Sequence, residues 1–287
     1  AKKRGIKVVF DVDDLIFEPE IIDQIDGFKA LSRTEQSQYI NDVERYRELL
    51  LAADQVTVPT AYLRERVERL GKSVAVIPNS INYAQLEIAA QLANTPKVMS
   101  REVIRIGYFS GSRTHQADFA QCAEAILQVM VNHPSVVLRI VGYLDLDARW
   151  DLVSDRIERL EFQPYKSMLR VLSECDLNIA PLELNCTFCH GKSELKFFEA
   201  GLLAIPTIAS ATDTYQRAIE DGVDGLLVRS TDEWVAALIK LVTSPELRIE
   251  IGAKARETAM HRYSIQEVAN TAATIYGLQK DGGLTTL

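Results

Sequence analysis

At 287 residues the chain is long enough for two medium domains with buried cores, and its 47% hydrophobic and 25% charged composition excludes general disorder. No apolar run reaches the roughly 18 residues of a membrane span, and the basic start runs into an acidic stretch rather than a signal-peptide pattern. A net charge of −8 excludes a general nucleic-acid surface, which needs clustered positive charge, while leaving room for a small anion pocket.

In chain order, residues 6–10 read as a buried strand with Asp11, Asp13 and Asp14 gathered beyond its C-terminal end, the edge at which α/β sheets bind ligands. A helix over 34–53 follows, with Tyr39, Val43, Tyr46, Leu49 and Leu50 at helical spacing. A strand at 56–58, a helix over 61–70 and a strand over 73–77 complete a short α/β unit. Polar residues near 94–96 place a boundary at about residue 98.

Beyond it, strands at 103–109, 136–141, 157–161, 176–180, 205–209 and 224–228 alternate with helices at 115–131, 147–155, 165–174, 193–203, 213–220 and 231–243. That alternation predicts a doubly wound parallel sheet. Two closing helices, 245–260 and 264–279, precede a polar tail. The division is 1–98, 99–260 and 261–287, the last helix returning toward the first domain through Ile265, Val268, Ala272, Ile275 and Tyr276.

Two stretches concentrate polar chemistry at strand-to-helix turns. Between Gly107 and His115, Gly111, Ser112 and Arg113 offer backbone N–H groups and one positive charge to an anion, although the glycine spacing matches neither a dinucleotide fingerprint nor a lysine-containing nucleotide loop. The plain alternative is a turn capped by Ser112 or Thr114. Farther on, Lys192 and Ser193 open the helix predicted over 193–203, and Glu199 lies inward along it, placed to accept hydrogen bonds from a pair of sugar hydroxyls. The alternative is a capped amphipathic helix burying Leu195, Phe198 and Leu202.

Two further clusters invite other readings. Cys186 and Cys189 have redox spacing, but Cys122 and Cys175 supply no second close pair for zinc, so no metal site is assigned. The sparse cysteines fit a reducing interior. Asp11 and Asp13 resemble the start of the magnesium-dependent haloacid-dehalogenase phosphatases. Leu15-Ile16 departs from that pattern, and the late acids Asp221 and Asp224 read as a turn.

Taken together, Gly191-Lys192-Ser193, Lys196, Glu199-Ala200-Gly201, Ile205-Pro206 and Asp221 to Val228, supported by Ile106 to Gly111, His115, Asp118 and Ala180-Pro181-Leu182, resemble retaining glycosyltransferases of the GT-B architecture, family 4. The resemblance runs from about Ile6 to Tyr276. It implies a Rossmann-like donor domain beside a shortened acceptor-side domain, and transfer of a sugar from a UDP-, GDP- or dTDP-sugar to a glycan, lipid-linked or other cell-surface acceptor. It further implies that Lys192, the backbone near Ser193 and Arg113 hold the diphosphate, that Glu199 holds the ribose, and that no metal or other cofactor is required.

The resemblance also implies a cytoplasmic protein, with peripheral contact at the inner face of the membrane, or with a missing N-terminal segment, left open. Many relatives carry a glutamate eight residues before the ribose-binding one, where this chain has Gly191; Glu183 and Glu194 are the nearest substitutes. The first domain corresponds only to the later part of a typical acceptor-side domain. The chain is therefore expected to be a truncated polypeptide or an abbreviated enzyme, with a non-catalytic sugar-binding module as the contrasting function.

Overall fold

The computed structural model describes residues 4–25, 27–93, 103–111 and 115–278. The boundary near 98 and the loop residues Ser112, Arg113 and Thr114 lie outside the described residues. The first unit contains β1 (Val9–Asp11), α1 (Arg33–Ala52), β2 (Gln55–Val58), α2 (Ala61–Glu68) and β3 (Val74–Val76), forming a parallel sheet in the order β1-β2-β3. Ser32 and Glu35 make a reciprocal capping box that starts α1. The Thr60 hydroxyl starts α2 by accepting from the Leu63 N–H at 3.2 Å. Val12, Leu15, Phe17, Leu50, Val56, Val58, Leu63 and Val67 close the small core.

Helix α3 (Tyr83–Ala93) is absent from the sequence reading. Its signal is the pair Asn82 and Gln85, each side chain accepting from the other's backbone N–H, at 3.0 and 2.7 Å. Although α3 precedes the second unit in the chain, Ile88 packs with Leu169, Leu172, Ala200 and Ile205 of that unit.

The second unit runs β4 (Ile104–Ser110), α4 (Gln116–Asn132), β5 (Val136–Gly142), β6 (Ile157–Leu160), α5 (Tyr165–Ser173), β7 (Leu177–Ala180), α6 (Thr187–Gly191) and α7 (Leu195–Leu202). It continues with β8 (Thr207–Ser210), α8 (Asp213–Ala218), β9 (Leu226–Val228), α9 (Thr231–Thr243), α10 (Pro245–Arg262) and α11 (Ile265–Tyr276). All pairings in its sheet are parallel and the order is β6-β5-β4-β7-β8-β9. This is the doubly wound order with its reversal between β4 and β7, the place where such sheets open a crevice at their C-terminal edge. The expected α/β architecture, a doubly wound parallel sheet beside a smaller α/β unit, is therefore present.

Two local expectations change. The helix predicted over 147–155 is a 3₁₀ segment, Ala148–Arg156, interrupted at Val153, whose φ of −133° is not helical. The helix predicted from 193 starts at Leu195 with Glu194 as its cap residue, while a separate turn of helix, α6, occupies part of the segment read as a loop. Lys192, with ψ of 135°, is the extended joint between the two. In α11, Ile265, Val268, Ala272 and Ile275 are half-buried and Tyr276 is exposed. The closest backbone tie from that end to the first part of the chain is the Ile81 N–H donating to the Tyr263 carbonyl at 2.8 Å. No helix among the described residues is long and apolar enough to cross a membrane.

Candidate active site

At the reversal between β4 and β7, the two units enclose a cavity of about 160 Å³. Asp13 and Asp14 wall it from the turn after β1, His115 from the start of α4, Ala180, Pro181 and Leu182 from the end of β7, and Lys192, Ser193 and Lys196 from the α6–α7 joint. Lys192 sits in extended backbone just after α6, Lys196 is the second residue of α7, and both line the cavity. Their ammonium groups lie 5.1 Å from the Phe188 ring and 5.2 Å from the Tyr108 ring, close enough for cation–π attraction. Among the described residues neither has a carboxylate within 4.0 Å. Burial pulls Lys196 down to about 8 against the opposing pull of Asp118, with Lys192 adding repulsion.

Asp118 organises the wall opposite. Its Oδ2 lies 2.9 Å from His115 Nδ1, and its Oδ1 accepts from the Glu183 N–H at 3.3 Å. Burial raises the Asp118 carboxyl, but the His115 contact and the charges of Lys192 and Lys196 outweigh it and hold it below the ordinary carboxylate range. Burial keeps His115 below the ordinary imidazole value despite the Asp118 contact. Asp14 is pushed the other way, above its ordinary value, because desolvation exceeds the attraction of Lys192. Asn79 ties the rim across the units, donating to Asp13 Oδ1 at 3.0 Å and to Ser193 Oγ at 3.1 Å.

Glu199 lies three residues beyond Lys196 and is not part of the cavity wall. It is 9% exposed, and its Oε1 accepts from the Tyr165 hydroxyl at 2.7 Å and from Gln85 Nε2 at 3.3 Å. Burial raises its carboxyl against the pull of Tyr165 and Lys196. Of the residues singled out in the sequence, Lys192 and Ser193 meet at the cavity, Glu199 sits behind Lys196, and Gly111 follows β4 in an exposed position. Ser112 and Arg113 are outside the described residues.

Gly191 has a packing reason. A Cβ there would lie 3.2 Å from Leu63 Cδ2 and 3.4 Å from Leu15 Cβ, a close fit against the first unit in which the Leu63 side chain would have to give way slightly to any larger residue. Of the two nearby acids, the Glu194 Oε1 accepts from the Tyr263 hydroxyl at 2.7 Å, and Glu183 lines a different cavity. Asp11 accepts from the Thr57 hydroxyl, and among the described residues Asp11 and Asp13 belong to no group of three or more metal-ligating side chains. The His115–Asp118 pair, Lys196 and Asp14 carry roles that sequence reasoning did not assign. The i, i+3 spacing of His115 and Asp118 at a helix start is the signal that was present.

The family described as "Glycosyl transferase-like" matches residues 113–274, more than half of the chain. A phosphatidyl-myo-inositol mannosyltransferase of Mycobacterium leprae is 27% identical over 218 residues, covering 74% of this chain and 56% of that protein. The chain thus spans little more than half of that curated relative. Among solved structures, a mutant of S. aureus TarM in complex with fondaparinux, alpha-GlcNAc-glycerol and UDP superposes with a TM-score of 0.62 at 19% identity, covering 82% of this chain and 46% of TarM. Anabaena HepE in complex with UDP and glucose gives 0.63 at 16% identity, covering 97% of this chain and 73% of HepE. At these identities the structures establish a shared fold.

Proposed function

The chain belongs to the glycosyl transferase-like family, and from that premise we propose that it transfers a sugar, with retention of anomeric configuration, from a nucleotide-diphosphate sugar to a glycan or lipid-linked acceptor. The observation that carries the reading is the pair Lys192 and Lys196, two cations without carboxylate partners within 4.0 Å among the described residues, in one cavity at the sheet reversal between two α/β units. Such a pair costs free energy when the cavity holds no anion and is matched by a diphosphate, whose charge grows as the glycosidic bond breaks.

In this reading Lys192 and Lys196 stabilise the departing diphosphate, together with the first backbone N–H groups of α7 and with Arg113 from the preceding loop. Glu199 holds the ribose hydroxyls through the carboxylate face that Tyr165 and Gln85 leave open. Asp14 presents a carboxyl to the donor sugar from the first unit, in place of the glutamate that relatives carry at the position of Gly191. His115, oriented by Asp118, adds a hydrogen-bond donor or acceptor at the cavity wall. The residues supply positive charge and hydrogen bonds without a divalent ion at the diphosphate. The divisions 1–98, 99–260 and 261–287 become acceptor side, donor side and closing helix.

UDP is the first nucleotide to try, because TarM and HepE are both described in complex with it. The acceptor is proposed as a cell-surface glycan or its lipid-linked precursor, by analogy with the mannosyltransferase relative. Titration calorimetry with UDP, GDP and dTDP, without added metal, tests the reading. Saturable binding of at least one is expected, and its loss in Lys192→Ala ties it to the cavity. No binding by the folded wild-type chain to any of the three overturns it. Binding without transfer to any acceptor would favour a sugar-binding module instead.

A further inference from the structure

A second cluster lies outside the lysine-lined cavity, built on a spacing that glycosyl transfer leaves unused. Glu183, Cys186 and Cys189 are each three residues apart. The Cys186 N–H donates to the Glu183 carbonyl at 3.4 Å and the Cys189 N–H to the Cys186 carbonyl at 3.1 Å, so successive turns bring the three side chains to one side. A carboxylate oxygen and the two sulfurs all lie within 4.8 Å of one another. Ligands on one tetrahedral zinc ion, with bonds of about 2.3 Å to sulfur and 2.0–2.2 Å to oxygen, stand roughly 3.5–3.8 Å apart, so small side-chain rotations suffice.

The sequence reading lacked a further zinc ligand because it looked for a second cysteine pair; the fold supplies a carboxylate. Asp118 reinforces the negative potential, its Oδ1 lying 3.4 Å from Cys189 Sγ. Entry is available through a cavity of about 320 Å³ walled by Asp23, Gln24, Lys29, Glu183 and Cys186. That cavity also brings water within reach as a fourth ligand. All four cysteines of the chain are free thiols, and two thiolates with one carboxylate favour a soft divalent ion over magnesium or calcium.

We propose that Glu183, Cys186 and Cys189 form a binding site for a thiophilic divalent cation, zinc being the biological class. Binding exchanges the two S–H protons, which pass to solvent, for two metal–sulfur bonds, with no change of oxidation state. One consequence reaches the first unit. The Cys186 thiol donates to the Gln24 carbonyl at 3.4 Å, and the Thr187 N–H donates to Gln24 Oε1 at 2.8 Å. Metal uptake removes the first of these bonds while clamping α6, so the site sits at a contact between the units, with Lys192 just beyond the C-terminal end of α6. The proposal does not depend on the glycosyltransferase reading.

Cobalt(II) titration of the reduced full-length chain without oxygen tests it, because thiolate-to-cobalt charge transfer absorbs in the near ultraviolet. We expect one cobalt per chain, displaced by zinc with loss of the band. Cys186→Ser and Cys189→Ser should abolish the band, whereas Cys122→Ser and Cys175→Ser should keep it. Glu183→Gln should retain sulfur absorption but weaken affinity at least about tenfold, the scale seen even for outer-sphere partners. A wild-type chain without the band overturns the proposal, whatever the variants do. So does a band that survives in the Cys186/Cys189 double variant.

Discussion

Lys196 offers a direct measurement of whether the cavity receives a diphosphate. Burial holds its ammonium at about 8, against an ordinary value of 10.5, so at pH 8 about half of the ligand-free molecules carry the charge. A phosphate charge at roughly 4 Å attracts an ammonium by about 4 kcal/mol at an effective dielectric of 20, equivalent to about three pKa units. That is enough to restore full protonation. Nucleotide binding should therefore take up about 0.5 proton at pH 8, about 0.1 at pH 7 and about 0.9 at pH 9.

Above pH 7 a terminal phosphate, with its second pKa near 6, contributes little of its own, and His115, held below its ordinary value, is already neutral. The assay is calorimetry at pH 8 in buffers of different ionisation enthalpy, where the slope of heat against that enthalpy gives the proton count. Lys196→Met should flatten the slope. Because its folded value lies below its unfolded one, protonated Lys196 destabilises the ligand-free fold by about 3 kcal/mol at pH 7, a cost that fades as pH rises through 8 toward 10.5. The same variant should therefore melt higher at pH 7. Buffer-independent heat at pH 8, or an unchanged slope in Lys196→Met, refutes the placement of diphosphate at Lys196.

Other substitutions separate the remaining roles. Lys192→Ala should lower turnover at saturating donor about 100-fold, because it removes charge stabilisation that grows toward the transition state; unchanged turnover and donor affinity would remove Lys192 from the diphosphate site. Asp14→Asn should cut turnover more than donor affinity in steady-state kinetics, and equal losses in both would make it a ground-state contact instead. Glu199→Gln should weaken nucleotide binding about tenfold or more, by loss of hydrogen bonds to a charged acceptor. Since burial raises the Glu199 carboxyl, its contribution to stability is complete below the ordinary value and lost as pH rises through the folded one. The glutamine variant should then melt no lower than wild type at pH 7. Gly252→Ala places a Cβ 2.2 Å from the Ala204 carbonyl oxygen, where α10 meets the end of α7, and should cost about 1–3 kcal/mol in thermal or denaturant unfolding with nucleotide contacts untouched.

The order and type of the regular elements were legible because each strand is a short apolar run and most helices repeat apolar residues on one face, both local properties of the chain. The alternation from 103 to 228 sufficed for a doubly wound parallel sheet, and the strand order bears this out. Lys192 and Ser193 were legible as the polar opening of a helix, and they stand at the cavity, although the helix itself starts two residues later at Leu195. Local signals failed where a segment's structure is decided by what it packs against. Helix α3 is held by Ile88 against Leu172 and Ala200, residues more than 80 positions away, and α6 and α7 part at the extended joint of Lys192, beside which Gly191 faces Leu15 and Leu63 of the first unit.

The candidate site divides in the same way. Residue types at turns suggested an anion-binding edge from sequence alone, and Lys192 and Ser193 of that edge line the cavity. Only the tertiary structure brought Asp14 opposite Lys192, drew His115 and Asp118 toward Lys196, and gave Glu199 its partners Tyr165 and Gln85. The physical reason is range: periodicity and capping act over a few residues along the chain. Desolvation and charge coupling act instead through space, between groups that only the closed fold makes neighbours.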